Sequence, residues 1–188
     1  MRLTTALIIA TLIAPSVSQA QRRFQVPEGV PISHKDVERL SPAGVVLSRR
    51  EPLKLEKPQI AQLDSLRRAF EDTAKRVADN VKKYQRAINT APPLLKRPPE
   101  GKPETRKDSL ERAKLDSTNR LKRDKYFETV TTGRRDLAAA LLALKDLFDA
   151  NLASTIQALN GAQHTTAALT LEQTSEEFTR RLRLANVR

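Results

Sequence analysis

The stretch Leu53-Lys-Leu-Glu-Lys-Pro-Gln-Ile60 has the pattern of a helix start. Glu56 can serve as the N-cap, and Gln59 stands three positions further on, where its side chain can bond to the backbone of the cap. The proline between them falls in the first turn, where proline is tolerated. Leu55 and Ile60 hold the positions of a hydrophobic staple. We therefore predict that a long helix begins here.

This helix is predicted to continue to about Ile88, because apolar residues recur at heptad spacing. One row holds Leu63, Phe70, Val77 and Tyr84, and the neighbouring row holds Ile60, Arg67, Ala74, Val81 and Ile88. On the other face, an acidic residue precedes a basic one by four positions in the pairs Asp64/Arg68, Glu71/Lys75, Asp72/Arg76 and Asp79/Lys83. This order favours i,i+4 ion pairs, so we expect much of the charge to be paired within the helix.

A similar pattern returns near the end of the chain as Leu169-Thr-Leu-Glu-Gln173. Thr170 is a good N-cap, and Gln173 completes a capping box with it. We therefore predict that the last helix begins at this box and continues to about Ala185.

The remaining segments indicate helices joined by loops. Ser41-Pro42 predicts a short helix to about Arg50, and the proline-rich segment 91–103 must be a loop. Residues 104–130 suggest a helix, with a break or kink predicted at 129–133, although one helix or two over 104–168 is left open. The Ala/Leu-rich stretch from Arg134 is apolar nearly all round, which is typical of a bundle centre or a subunit interface. No stretch alternates apolar and polar residues, so the predicted fold is all-α, an elongated hairpin or bundle of about four helices.

The first 20 residues have the pattern of an export signal. A basic start precedes an apolar run too short to span a bilayer, and Ser18-Gln-Ala20 fits a cleavage site. We predict an exported protein cleaved near Ala20; the alternative is a retained membrane anchor. Residues 21–40 would then be a flexible lead, and residues 41–188 a single domain.

Composition and charge exclude several classes of site. Cysteine is absent and Met1 is the only methionine, so disulfides and soft sulfur ligands for metals are excluded from the mature chain. Residues 21–135 carry 28 Lys and Arg against 16 Asp and Glu, whereas residues 136–178 carry one against six. Aromatic residues are too few and too scattered among the basic ones to predict a nucleic-acid surface.

No catalytic pattern is present. The five glycines are isolated, so a phosphate-binding loop cannot form, and no pairing of a base with a nucleophile stands out. A metal site is conceivable only if the fold brings His34 and His164 together with Asp36 or Glu172. We predict a protein that is not an enzyme and has no cofactor.

The two helix starts together resemble the LTxxQ signature of a periplasmic family that includes the Spy chaperone, the CpxP stress regulator and the ZraP heavy-metal resistance proteins. Leu55 and Gln59 match the first copy, with Glu56 at the threonine position, and Leu169, Thr170 and Gln173 match the second. Residues 41–55 also resemble the short helix before the first motif. The resemblance covers about 41–185, and residues 92–130 are its least familiar part.

This resemblance implies a periplasmic all-α hairpin subunit that pairs into a curved, cradle-like homodimer. Spy-like members hold unfolded clients without ATP, on a concave surface that mixes positive charge with apolar patches. The corresponding client surface here would be the basic face formed by Arg67, Arg68, Lys75, Arg76, Lys82, Lys83 and Arg86. The ligands of the metal-handling members are missing.

Three functions follow as hypotheses. The leading one is a holdase-type chaperone or envelope-stress protein that binds unfolded or acidic clients. The second is a periplasmic heavy-metal sensor or resistance protein. The third is a basic structural protein that rests on an anionic envelope polymer or lipid.

Overall fold

The computed structural model describes residues 29–90 and 106–186, which form five α-helices without a β-strand. The helices are α1 (His34–Arg39), α2 (Pro42–Ser48), α3 (Lys57–Asn89), α4 (Arg106–Gln157) and α5 (Gly161–Ala185). The all-α prediction is confirmed, whereas the dimer stays a prediction. None of these helices combines the length and apolarity needed to cross a membrane. The predicted export signal (1–20) and proline-rich loop (91–103) lie outside the described residues.

Helix α3 follows the prediction closely. The backbone N–H of Glu56 donates to Oε1 of Gln59 at 2.9 Å, which caps the helix start as expected. Both heptad rows face the core: Leu63, Phe70, Ala74, Val81 and Ile88 are buried, and Val77 and Tyr84 are partly buried against them. The spacing of apolar residues was therefore sufficient to place this helix and its buried face.

Helix α4 contradicts the predicted break at 129–133, because it continues without interruption through Gly133. A Cβ atom on Gly133 would lie only 3.0 Å from Cγ1 of Ile88 on α3. The glycine thus permits close packing of two helices rather than ending one. The hydroxyls of Thr129 and Thr131 donate to the carbonyls four residues earlier, so they are satisfied inside the helix.

Helix α5 begins at Gly161, so the prediction that the last helix starts at Thr170 is wrong. Asn160 is the N-cap: its Oδ1 accepts from the N–H of Gln163 at 2.9 Å, and Oε1 of Gln163 accepts from the N–H of Asn160 at 3.0 Å. Thr170 lies inside the helix, where its carbonyl accepts from the hydroxyl of Thr174. The chain therefore turns at 158–160.

The predicted flexible lead, residues 21–40, is wrong for the part that forms α1. Ser33 caps this helix by accepting from the N–H of Asp36, whose carboxylate accepts in return from the Ser33 backbone. Val37 and Leu40 are buried. The short helix α2 is confirmed, with Oγ of Ser41 accepting from the N–H of Gly44 at 3.3 Å.

The three long helices form the bundle. Helices α3 and α4 are antiparallel, since Asn151 donates to the carbonyl of Leu66 at one end and Tyr126 to that of Ile88 at the other. Helix α5 runs in the same direction as α3, since Gln59 contacts Gln163 near their starts and Gln85 donates to the carbonyl of Ala185 near their ends. Phe148 of α4 joins them: its ring stacks on Phe178 at 4.1 Å and meets Phe70 edge-on at 6.4 Å, measured between centroids. The Ala/Leu-rich stretch thus contributes Leu137, Leu141, Leu144 and Phe148 to the core.

Candidate functional site

The starts of α3 and α5 are joined by an amide pair, which we call the glutamine junction (Gln59 and Gln163). Nε2 of Gln59 donates to Oε1 of Gln163 at 2.8 Å, and Nε2 of Gln163 approaches Oε1 of Gln59 at 3.2 Å. Gln59 also donates to the carbonyl of Ala158 at 2.9 Å, and Gln163 to that of Lys54 at 3.4 Å. Each glutamine thus caps its own helix and binds the other, although 104 positions separate them.

Sequence reasoning missed half of this junction. The segment Leu159-Asn-Gly-Ala-Gln163 repeats the Leu–cap–x–x–Gln spacing of Leu55–Gln59. Asparagine is at least as good an N-cap as threonine, so the signal was present once the cap position was not restricted to threonine. The predicted second copy, Leu169–Gln173, takes no part in the junction. Leu169 is 65% exposed, and Gln173 is exposed on the surface of α5.

Three of the seven predicted client-binding residues on α3 are engaged in ion pairs. Arg67 is partly buried and contacts Asp64 at 2.7 Å and Glu71 at 3.3 Å. The hydrogen bond to Asp64 raises the pKa of Arg67. Arg68 also reaches Asp64 at 2.7 Å, and Lys75 contacts Glu38 of α1 at 2.6 Å; Arg68 keeps 71% of its side chain exposed.

The other four predicted residues are Arg76, Lys82, Lys83 and Arg86, which we call the α3 cation row. All four are exposed, and none makes an ion pair with any residue in 29–90 or 106–186. They lie in the second half of α3, beyond the cations that α1 and the first half of α3 engage. This row is therefore the part of the predicted basic face whose charge is exposed and unpaired within the described residues.

The predicted pairing of charges within α3 holds for Asp64/Arg68 alone among the four pairs. Glu71 pairs with Arg67, and Lys75 pairs with α1 instead of with Glu71. Oδ1 of Asp79 lies 3.0 Å from Nε2 of His34, also on α1. For Lys75 and Asp79, neighbours from α1 outweighed the spacing of four residues, because each exposed i,i+4 pair is worth only a few tenths of a kcal/mol or so. Cations that the sequence assigned to local partners are therefore left exposed.

Helix α1 is bound to α5 as well as to α3. Arg39 contacts Glu177 at 3.3 Å, and Arg181 contacts Asp36 at 3.6 Å. The hydrogen bond from Arg180 lowers the pKa of Glu177. Burial raises the pKa of Asp36, but hydrogen bonds from Ser33 and the charges of Arg181 and Arg39 outweigh it, and the net pKa is lowered. These carboxylates are thus ionised components of the fold.

An open cleft of about 610 Å³ lies among α1, α2 and α3. Its lining residues are Glu38, Arg39, Gly44, Val45, Ser48, Arg67 and Glu71. Each charged group in that lining already has a partner of opposite sign: Glu38 with Lys75, Arg39 with Glu177, and Arg67 with Glu71. The cleft therefore offers a ligand no unpaired charge.

The described residues do not assemble the metal site that the sequence left open. No three His, Asp or Glu side chains in 29–90 and 106–186 are grouped closely enough to hold an ion. His34 faces Asp79, and Asp36 accepts from Ser33 instead of pointing to a shared site.

No family model, curated protein or solved structure matches this chain. Function must therefore be inferred from the residues themselves.

Proposed function

We propose that this protein is an exported, non-enzymatic helical holdase or envelope-stress protein of the Spy/CpxP type, which binds unfolded or acidic clients without ATP. The observation that carries the proposal is the α3 cation row (Arg76, Lys82, Lys83 and Arg86), which is exposed and unpaired within the described residues. Charges that the fold does not use can act on a partner. A local excess of positive charge raises the rate at which acidic chains are captured.

The glutamine junction supports the resemblance on which the proposal also rests. Two Leu–cap–x–x–Gln segments start two helices of one bundle and contact each other through Gln59 and Gln163. A resemblance that depends on two copies of a motif is stronger when the two copies contact each other in the structure. The caps differ from the LTxxQ pattern, with Glu56 and Asn160 in place of threonine.

Retention of a client requires apolar contact in addition to charge. Exposed pairs of opposite charge contribute little at physiological salt, whereas each buried apolar side chain contributes roughly 1.5 to 3 kcal/mol. The surface provides exposed leucine and phenylalanine side chains on α4. Charge would therefore set the rate of capture and apolar contact its duration, so release needs no nucleotide.

The test is suppression of aggregation. An unrelated protein is unfolded in the presence of the full chain, and light scattering is followed across a salt series. We expect protection at near-stoichiometric ratios that weakens as salt screens the charge. Absence of protection at low salt would exclude a holdase.

A matched pair of variants locates the charge effect. Replacing the α3 cation row by glutamine should reduce protection at low salt. The control replaces Arg49, Arg50, Lys54 and Lys57 by glutamine; these are also exposed and unpaired within the described residues, so the change in net charge is the same. Equal loss in both variants would indicate an effect of net charge and contradict a role for this row.

Export and dimerisation are part of the same proposal. The export pattern of residues 1–20 supports a periplasmic location, and the resemblance supports a homodimer. Cell fractionation with detection of the processed N-terminus tests the first, and light scattering coupled to size-exclusion chromatography tests the second. A cytoplasmic, unprocessed chain would exclude the periplasmic function.

A further inference from the structure

The first part of α4, residues 106–127, extends past the end of α3, and we call it the α4 arm. Helix α3 ends at Asn89, and close to that end Tyr126 of α4 donates a hydrogen bond to the carbonyl of Ile88. The 20 residues before Tyr126 span about 30 Å at 1.5 Å per residue. From 107 to 118 no side chain is buried. The arm is therefore surface along most of its length.

The arm exposes three large apolar side chains. Leu110 is 59% exposed, Leu121 is 68% exposed and Phe127 is 59% exposed. Leu110 and Leu121 are 11 residues apart, which is close to three helical turns, so they lie on one face; Phe127 lies about 100° to 120° further round the helix, on a neighbouring face.

Unpaired cations surround these apolar side chains. Lys114 and Lys125 lie four residues after Leu110 and Leu121, and Arg120 and Arg123 lie seven and four residues before Phe127. All four are exposed and make no ion pair within the described residues. In total, the arm holds eight Lys and Arg against four Asp and Glu, a net charge of 8 − 4 = +4.

The side of the arm opposite Leu110 and Leu121 is occupied. Asp108, Arg112, Asp116, Asn119 and Lys122 follow one another at helical spacing there, and all are engaged in polar or electrostatic contacts. The face that carries Leu110 and Leu121 differs from this side, because the cations beside its leucines, Lys114, Arg120 and Lys125, make no ion pair within the described residues.

We propose that the α4 arm is a docking surface for acidic, leucine-rich segments of unfolded polypeptide. This inference rests on the proposed function and assigns it a client class and a location away from the α3 cation row. Leu110 and Phe127 are about 26 Å apart along the helix axis. An extended chain rises about 3.3 Å per residue, so a segment of roughly eight or nine residues that crosses the helix obliquely reaches from Leu110 to Phe127. Its carboxylates pair with the cations along that path, and its apolar side chains cover the leucines and the phenylalanine.

The same face disfavours insertion into a membrane. Asp124 stands three residues after Leu121 and three before Phe127, and Glu111 adjoins Leu110; Asp124 and Glu111 are both exposed. Inserting the apolar groups into anionic lipid would bring these carboxylates to the headgroups, where they are repelled, and towards acyl chains that cannot hydrogen-bond them. A polypeptide supplies N–H donors to such carboxylates, so it fits the face better than a bilayer does.

The experiment measures binding of two labelled synthetic peptides of equal length to the full chain by fluorescence anisotropy. Both peptides carry the same leucines; one has glutamates and the other has lysines in the remaining charged positions. The arm variant is Leu121→Ser with Phe127→Ser. The control is Leu142→Ser with Leu169→Ser, which changes residues of similar exposure (60% and 65%) outside the arm. Circular dichroism verifies that both variants keep the fold.

We expect the glutamate peptide to bind and the arm variant to bind it about tenfold more weakly, or worse, because two apolar contacts are lost. The control variant should bind like the wild type, and the lysine peptide should bind weakly to all three. Replacing Lys114, Arg120, Arg123 and Lys125 by glutamine should remove most of the salt dependence.

Other results would overturn the inference. If the wild type suppresses aggregation but the arm variant binds the glutamate peptide equally well, clients dock elsewhere and the proposed function stands. If neither suppression nor peptide binding occurs, the proposed function fails too. Equal binding of the lysine peptide contradicts the acidic class. Sedimentation with anionic phosphatidylglycerol vesicles that is lost in the arm variant, without peptide binding, assigns the face to lipid. A change from dimer to monomer in the arm variant assigns it to a second copy.

Discussion

Two segments near the start of α5, Leu159–Gln163 and Leu169–Gln173, share a leucine and a glutamine at the same spacing but have different roles. The first starts the helix, and its Gln163 is buried in the junction with Gln59. The second segment begins ten residues later, inside the helix, and its Leu169 and Gln173 are exposed. The second matches the familiar signature better, yet only the first acts as a cap.

The difference is explained by the backbone. A capping side chain is useful where N–H groups have no intrahelical acceptor, which is true only of the first turn. By Thr170 every N–H is already bonded to a carbonyl of the preceding turn. A capping motif is therefore effective only where the helix is interrupted just before it. Asn160-Gly161 provides such a break, and Ala168-Leu169 does not.

The largest effect expected from this comparison is that of Gln163→Ala. This side chain is buried, caps Asn160, bonds to Gln59 and approaches the carbonyl of Lys54. Its removal leaves buried polar groups unsatisfied, so we expect the free energy of unfolding to fall by roughly 2 to 3 kcal/mol. Urea unfolding followed by far-UV circular dichroism measures it.

A double-mutant cycle that combines Gln163→Ala with Gln59→Ala tests the contact between the two glutamines. If the two glutamines form one unit, the double variant should lose less stability than the sum of the single losses, with a coupling of about 0.5 kcal/mol or more. Additive losses would contradict the direct contact between the starts of α3 and α5.

A smaller effect is expected for Asn160→Ala. The change removes one capping hydrogen bond, to the N–H of Gln163, and should cost about 1 kcal/mol. Asn160→Thr is the informative companion, because threonine restores the signature residue and should recover most of the loss. Failure of threonine to recover any stability would indicate that Asn160 acts in some other way than as a cap.

The far end of α5 should respond to acid, whereas its start should not. The pKa values of Asp36 and Glu177 are lowered in the folded chain. Their contribution to stability is therefore present above the unfolded pKa and is lost as the pH falls through the folded pKa, below about 4. We expect unfolding midpoints to drop in this range, and to drop less in Glu177→Gln. The same dependence in both proteins would exclude Glu177 as a source. Because Asn160 and Gln163 do not titrate, the capping hydrogen bonds at the start contribute none.

The smallest effect is expected from the second segment. Thr170→Ala and Gln173→Ala should change the free energy of unfolding by less than about 0.5 kcal/mol, because neither side chain caps a helix and Gln173 is exposed. A loss as large as that of Asn160→Ala, in the same urea experiment, would mean that the second segment has a structural role after all.

The sequence correctly predicted the features that depend on local or periodic patterns of residues. The cap at Glu56 with Gln59, the heptad rows of α3 and the Ser41-Pro42 start of α2 each depend on residues a few positions apart, and all three are present in the structure. The candidate basic face was also placed on the solvent side of α3. The sequence could not predict which of these cations remain unpaired, because the partners of Lys75 and Asp79 come from α1.

By itself, then, the sequence determined that the chain is helical, where α2 and α3 begin, and which face of α3 is buried. Each of these follows from intrinsic propensity and from apolar spacing within a single helix. Only the tertiary structure decided that α4 continues through Gly133, because the reason is a contact with Ile88, 45 positions away along the chain. It also decided that Gln163 rather than Gln173 is the partner of Gln59. A contact between helices depends on how they pack and not on how closely either segment matches the signature.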